Sequence, residues 1–199
     1  MMRRTLAATG LSFLLMMCAS ADAATEKFFG IPDGIQENPD VLTGATGFGT
    51  ALYDSIANTL AVDLSFSGLG SNGNNAHIHC CATSTGTNAG VAIDFPSVGF
   101  PLGVTAGSFS HTFDLGLTGT YNGAYLANSG GTANGARDRL LDSFRGLSGT
   151  GLGVAYFNIH TVNNGGGEIR GNIAPVPEPS SFVLVALGAS CFIARRRKR

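Results

Sequence analysis

The 199-residue sequence contains no tryptophan, only 4 cysteines, and few basic residues outside its two ends. From Thr25 to Ala174, 5 basic residues stand against 11 acidic ones, so this central part carries a formal charge of −6. A protein that binds nucleic acid needs lysines and arginines to neutralise phosphates. The scarcity of cations therefore argues against nucleic acid as a partner.

Signatures of common catalytic classes are also missing. The sequence has no G-x-S-x-G nucleophile elbow, no P-loop and no dinucleotide-binding glycine motif. The glycine run at 165–167 lies where a turn between two strands is predicted, and no lysine follows it as a phosphate-binding loop requires. We therefore expect a protein that is not an enzyme and needs no cofactor.

The hydrophobic runs near the two ends are too short to be permanent membrane spans. At the N-terminus, two arginines precede an apolar run at 11–18, and small residues at 19–24 provide a cleavage site. This order predicts a secretory signal peptide over 1–24. Lipid attachment at Cys18 is a weaker alternative, because Met17 is too large for the position before a lipidated cysteine.

The C-terminal segment combines three features in order. A Pro-Glu-Pro motif precedes an apolar stretch at 182–194, and a basic cluster ends the chain. The motif residues are Pro177, Glu178 and Pro179, and the cluster begins with Arg195, Arg196 and Arg197. The arrangement over 175–199 resembles the PEP-CTERM sorting signal of Gram-negative bacteria. A simple tail anchor is the alternative, and it too leaves the body of the chain outside the cytoplasm.

The resemblance to this sorting signal implies recognition and cleavage by an exosortase, so that the C-terminal helix crosses the membrane only transiently. It also implies release to the cell surface or the extracellular matrix, where such proteins often accompany exopolysaccharide. An extracellular polysaccharide or another surface protein is therefore the expected partner.

The central part of the chain has the alternating pattern of β-strands. Apolar and polar residues alternate at 60–67, and further strands are predicted at 48–53, 91–95, 109–115, 154–160 and 168–173. Helical spacing of apolar residues over 132–144 predicts one inserted helix. We therefore predict an all-β fold, an antiparallel immunoglobulin-like or Greek-key sandwich or barrel, preceded by a lead segment at 25–43.

Four motifs follow one another between residues 67 and 171. They are Ser-Gly-Leu at 67–69, Ala-His-Ile-His at 76–79, Asn-Ile-His-Thr at 158–161 and Gly-Glu-Ile-Arg-Gly at 167–171. In this order they resemble the CHRD domain, a module repeated in chordin and found in exported bacterial proteins. The resemblance covers 44–174 and implies an immunoglobulin-like β-structure. Chordin is a secreted protein that binds growth factors, and the bacterial members have no settled activity.

Four histidines are the candidate metal ligands. On a strand, His77 and His79 project from one face with Cα atoms about 6.5–7 Å apart, so their rings can converge on one Zn or Cu ion. His111 and His160 follow singly, an order similar to that of the copper ligands in Cu/Zn superoxide dismutase. The alternative for His77, His79 and His160 is a hydrogen-bond network between strands, and for His111 a buried core position.

Cys80 and Cys81 are the only cysteines expected in the processed protein. An oxidising compartment favours a disulfide, although adjacent cysteines can pair with each other only through a tight ring. Two free thiols, a link to another chain, and soft metal ligands are the alternatives. Many CHRD domains have glycine in place of Cys80, so the geometry of this loop cannot be taken from the family.

The last motif contributes a second group of candidate residues: Glu168, Arg170, Gly171 and, on the preceding strand, Asn158. Glu168 and Arg170 occupy one face two residues apart. This predicts an ion pair, or a carboxylate held by neighbouring backbone and Asn158, that sets the strand register. A catalytic acid is less favoured, since no partner carboxylate stands at a motif spacing.

Two functions follow from these features. The first is an exported, surface- or matrix-associated module that binds a matrix polymer or another surface protein without catalysis. The second is a metal-binding sandwich with Cu or Zn as cofactor and superoxide-dismutating activity. We prefer the first, because similarity of fold does not by itself transfer chemistry.

Overall fold

The structure is a computed structural model that describes residues 25–146 and 154–176. Within these ranges, antiparallel strands form two sheets. The strands are β1 Thr25–Gly30, β2 Thr46–Asp54, β3 Thr59–Ser67, β4 Gly73–Ala82, β5 Val91–Asp94, β6 Gly107–Asp114, β7 Val154–Thr161, β8 Ile169–Asn172 and β9 Ala174–Pro175. The predicted all-β antiparallel sandwich is confirmed.

The larger sheet has the strand order β6-β3-β2-β1-β9. Its central hairpin joins β2 to β3 through a turn in which Asp54 Oδ1 accepts hydrogen bonds from two backbone N–H groups at 2.8 and 2.9 Å. Alternate apolar residues of β3 enter the core, as the period of two predicts.

The lead segment contributes β1, which pairs with β2 along its whole length. Adjacent apolar residues in Lys27-Phe28-Phe29 break the alternation, and for that reason the pattern missed this strand.

The smaller sheet has the strand order β5-β4-β7-β8, and both of its faces are buried. Ile78 of β4 and Phe157 of β7 belong to the apolar core between the sheets. The intervening residues point away from that core and are mainly polar, yet most are buried too. Two loops, 31–45 and 83–90, cover this outer face through hydrogen bonds. The outer face is thus a polar layer enclosed by the fold.

Two helices close one end of the apolar core: α1 Gly123–Ala127 and α2 Ala133–Phe144. The Thr132 side chain accepts a hydrogen bond from the Gly135 N–H at 3.1 Å and caps α2. Phe144 packs on Phe28 with ring centroids 5.1 Å apart. The helix predicted at 132–144 therefore corresponds to α2, whereas the short α1 was not predicted.

None of the helices in the described ranges is long and apolar enough to cross a membrane. The predicted signal peptide over 1–24 lies outside the described residues. So do Pro177, Glu178 and Pro179 of the predicted sorting signal, together with its apolar stretch and its basic cluster.

Candidate metal centre

Three of the four candidate histidines meet on the outer face of the smaller sheet. His77 and His79 lie on β4, and His160 lies on the neighbouring strand β7. Antiparallel pairing sets His77 opposite Asn158, so that His160, two residues further along β7, comes beside the first pair. One nitrogen from each ring lies within 4.8 Å of the other two. The residues are only 6%, 9% and 9% exposed, so the fold encloses the cluster.

Each ring directs one nitrogen away from the cluster toward an acceptor. The contacts are His79 Nδ1 to the Ala89 backbone oxygen at 2.8 Å, His160 Nδ1 to the Gly165 backbone oxygen at 3.0 Å, and His77 Nε2 to Asp94 Oδ1 at 3.3 Å. Carbonyl and carboxylate oxygens only accept hydrogen bonds, so these contacts favour a proton on the outer nitrogen of each ring. The inner nitrogen of a neutral ring then carries a lone pair.

The inner nitrogens lie close together and are poorly satisfied. His77 Nδ1 is 3.1 Å from His160 Nε2, and buried His79 Nε2 has no hydrogen-bond partner among the described residues. A neutral His77 has one ring proton, which cannot serve both His160 and Asp94. In either tautomer, one contact of His77 brings two acceptors together. A cation bound to the inner nitrogens removes this conflict.

The spacing of two inner nitrogens, those of His77 and His160, suits a small transition-metal ion. Two ligands at about 2.0–2.1 Å from a tetrahedral ion lie roughly 3.3 Å apart. The nitrogens of His77 and His160 are separated by 3.1 Å. Histidines that bind metals commonly donate their second nitrogen to a carbonyl or a carboxylate, and the outer nitrogens of this cluster face such groups.

Burial favours the neutral rings that a metal requires. It lowers the pKa of His77 to about 4, with a smaller contribution from His160, and Asp94 opposes the shift only in part. Burial also lowers the pKa of His79 to about 4, although the bond to Ala89 acts in the opposite direction. The pKa of His160 is lowered by burial as well. The three rings are therefore neutral at pH 7, which is the state in which histidine binds a metal.

The Tyr156 side chain holds the His79 ring, and Arg170 in turn contacts Tyr156. The Tyr156 ring stacks on it with centroids 4.9 Å apart and an interplanar angle of 3°. The Tyr156 hydroxyl accepts a hydrogen bond from the Ala89 N–H at 3.0 Å. Arg170 Cζ lies 3.5 Å from the centroid of the Tyr156 ring, a cation–π contact. The stack restricts the orientation of His79.

Glu168 and Arg170 bond to different partners rather than to each other. Glu168 accepts hydrogen bonds from the Gly70 N–H at 2.7 Å, Thr43 Oγ1 at 2.8 Å, Thr161 Oγ1 at 2.8 Å and Asn164 Nδ2 at 3.3 Å. Arg170 donates to the Thr87 backbone oxygen at 2.9 Å and to the side-chain oxygens of Asn88 and Asn172, each at 3.3 Å. Glu168 is thus a carboxylate held by backbone and hydroxyl groups, without the contribution that was expected from Asn158.

Gly171 allows the 31–45 loop to approach β8. A Cβ atom at this position would lie 2.6 Å from the Pro32 nitrogen, which is closer than real contacts allow. Next to it, Arg170 and Asp33 exchange two backbone hydrogen bonds, of 3.0 and 3.1 Å. Asp33 also bridges to Thr46, so the loop is joined to both sheets.

The 31–45 loop brings Glu37 to the polar layer, a residue that no sequence pattern indicated. Asn158 Nδ2 donates to Glu37 Oε1 at 2.8 Å. Burial raises the pKa of Glu37 to about 7, and the Asn158 hydrogen bond and the Arg170 charge counteract only part of that effect. A single acidic residue in an irregular loop has no periodicity, and only the folded loop reveals its place.

His111 lies away from the histidine cluster. It belongs to β6, an edge strand of the larger sheet, where it is opposite Val62. Its half-buried ring contacts Phe113 with centroids 4.6 Å apart. It also lines a cleft of about 430 Å³ together with Asp94 and Asp114. The cluster of candidate ligands among the described residues therefore contains three histidines.

A disulfide joins Cys80 to Cys81 in the structure. With Tyr125 and Arg139, the pair lines a cleft of about 340 Å³ on the side of the fold that carries the helices. Neither sulfur belongs to the histidine cluster. The candidate ligands within the described residues are accordingly imidazoles alone.

Comparison with protein families accounts for most of the chain. The CHRD domain matches residues 30–173, and the PEP-CTERM protein-sorting motif matches residues 175–198. No curated protein and no solved structure matches the chain. The sorting motif supports export, processing by an exosortase and a cell-surface or extracellular location. The chain belongs to the CHRD domain family and ends in a PEP-CTERM sorting motif.

Proposed function

We propose that this chain is an exported, surface- or matrix-associated CHRD module that binds one transition-metal ion through His77, His79 and His160. The supporting observation is the placement of the ring nitrogens. The outer nitrogens face acceptors. Of the inner nitrogens, those of His77 and His160 contact each other, and that of His79 has no hydrogen-bond partner among the described residues. Three neutral imidazoles arranged in this way offer lone pairs to a cation.

Zinc and copper are the ions that best suit this ligand set. Imidazole nitrogens bind both ions well, and the cluster holds no thiolate or carboxylate ligand within the described part of the chain. Three protein ligands leave the fourth position of a tetrahedral ion to water or a small molecule. The site geometry therefore favours metal binding, which was the less preferred of the two functions inferred from the sequence.

We infer that the metal supports the binding function of the module and does not catalyse a reaction. The three histidines are at most 9% exposed, and Tyr156 stacks directly on His79. These features restrict the fourth position of the ion to water or another very small ligand. A bound metal would instead reinforce the cover of the polar layer, because Ala89 bonds to both His79 and Tyr156.

The proposed place of action is the cell surface or the extracellular matrix, for which the sorting motif is the support. The proposed partner is a matrix polysaccharide or another surface protein. The acidic central part, with its formal charge of −6, favours neutral or cationic partners, since like charges repel at an interface.

Elemental analysis of the purified full-length chain tests the metal site. We expect about one Zn or Cu ion per wild-type chain after export to an oxidising compartment, the ratio that a single site gives. His79→Ala and His160→Ala should each lose the ion. His111→Ala removes a histidine from the other sheet, serves as the matched control, and should retain it.

Circular dichroism of each variant separates loss of the ion from loss of the fold. A folded wild-type chain that takes up neither ion would contradict the metal site and leave the polymer-binding module as the better explanation. Superoxide turnover by the metal-loaded chain would contradict a role restricted to binding.

A further inference from the structure

Within the described part of the chain, Asp94 provides the only outer acceptor of the histidine cluster that belongs to a side chain. The other two acceptors are backbone oxygens, which no substitution removes. Asp94 ends β5 and stands opposite His77 in the ladder between β5 and β4. Its Oδ1 lies 3.3 Å from His77 Nε2. A substitution at this position can therefore change the second contact of one ring and leave all three rings in place.

His77 has two competing acceptors for its single proton. A proton on Nδ1 serves His160 Nε2 at 3.1 Å, but it turns the Nε2 lone pair toward the Asp94 carboxylate. A proton on Nε2 serves Asp94 and frees the Nδ1 lone pair. A carboxylate is the stronger acceptor because it is charged. Asp94 thus favours the tautomer in which Nδ1 can bind a metal.

We propose that Asp94 is a positioning residue of the metal centre, which holds His77 in the Nε2-protonated tautomer and so presents Nδ1 to the ion. The effect on the ion rests on the proposed metal site, whereas the tautomer is a property of the metal-free protein. The carboxylate also increases the basicity of the ring that it contacts. Loss of such a partner typically lowers metal affinity 10- to 100-fold.

The surroundings of Asp94 permit a clean substitution. Its side chain is 44% exposed, so that a smaller residue creates no buried cavity. Its Oδ2 accepts a hydrogen bond from the Ser97 N–H at 3.1 Å, which supports the turn after β5. Asp114 is a matched control, since it lines the same cleft and accepts from the Gly116 N–H at 2.8 Å, outside the histidine cluster.

Three variants of the full-length chain test the proposal. Asp94→Ser keeps an acceptor for the turn but is too short to reach His77. Asp94→Asn keeps an oxygen that can accept from Nε2 without the negative charge. Asp114→Ser is the control. Long-range proton–nitrogen NMR of the metal-free protein reports the tautomer of His77, and competition titration with a chromogenic chelator gives the Kd for zinc.

We expect His77 to be protonated on Nε2 in the wild type and to move toward Nδ1 in Asp94→Ser. The zinc Kd should rise 10- to 100-fold in Asp94→Ser, less in Asp94→Asn, and not at all in Asp114→Ser. An unchanged tautomer or an unchanged Kd in Asp94→Ser overturns the proposal. If the wild type binds no metal but Asp94→Ser still changes the tautomer of His77, the proposed function is overturned. The role of Asp94 in setting that tautomer then stands.

Discussion

Two buried glutamates, Glu37 and Glu168, have pKa values shifted in opposite directions. Burial raises the pKa of Glu37 to about 7, since few groups stabilise its charge. Burial also acts to raise the pKa of Glu168, but hydrogen bonds from Gly70, Thr161, Thr43 and Asn164 outweigh it and hold that pKa below its ordinary value. The number of donors around each carboxyl group decides whether it is charged at pH 7.

Glu37→Gln should make the protein less sensitive to alkaline pH. The folded state keeps the Glu37 proton up to a pKa of about 7, whereas the unfolded chain releases it near 4.5. The folded state therefore binds more protons between these values, and the free energy of unfolding falls as the pH rises through them. Glutamine cannot ionise, so at pH 8 the free energy of unfolding of the variant should be higher than that of the wild type by up to about 3 kcal/mol.

Urea unfolding at pH 4.5 and pH 8 measures this difference. Depressed pKa values at His77 and His79 act in the opposite direction below pH 6.5, but they are present in both proteins and cancel in the comparison. Parallel pH profiles of the two proteins would show that Glu37 is ionised in the folded state.

At the scale of elements, one carboxylate ties three parts of the chain together. Glu168 immediately precedes β8, and its bonds reach Thr43 before β2, Gly70 between β3 and β4, and Thr161 at the end of β7. Because these partners are far apart in sequence, the loss of the carboxylate weakens several connections of the sandwich at once.

Glu168→Gln should lower the free energy of unfolding by about 2–4 kcal/mol, because an amide nitrogen would face donors that now bond to a carboxylate oxygen. Urea denaturation at pH 7 measures the loss. The control is Glu26→Gln, which breaks a half-exposed ion pair with Arg145 and should cost less than about 1 kcal/mol. Equal losses in the two variants would refute the special role of Glu168.

At the scale of the whole molecule, the histidine cluster joins strands of one sheet and contacts one covering loop and one turn. His79 bonds to Ala89 in the 83–90 loop, and His160 bonds to Gly165 in the turn after β7. An ion bound at the cluster would connect these segments through the rings. Binding to the folded state alone raises its stability by mass action.

Zinc or copper should therefore raise the Tm of the wild type by several degrees. A free ion concentration of about 100 times Kd adds about 2.7 kcal/mol, which is worth roughly 5–10 °C for a domain of about 150 residues. Thermal unfolding with and without the ion measures the shift. His111→Ala should respond as the wild type does, and a comparable shift in His79→Ala would show that the ion binds elsewhere.

Local patterns predicted those elements in which burial follows a simple period. Alternation identified β3 and most of β6, strands were also predicted at the positions of β2, β5, β7 and β8, and helical spacing identified α2. β1 was missed because its apolar residues are adjacent, and α1 because five residues are too few to show a period. The burial of the outer face of the smaller sheet was not predicted either, since polar residues on a strand ordinarily indicate exposure to solvent.

The sequence by itself determined the sorting motif, the class of fold and the shared face of His77 and His79. These properties depend on a linear signal or on neighbours within one strand. Only the tertiary structure decided that His160 joins the pair from 83 residues away, while His111 lies in the other sheet. It also brought Asp94 and Glu37 to the polar layer, because strand pairing and loop covering place residues according to the whole chain's topology.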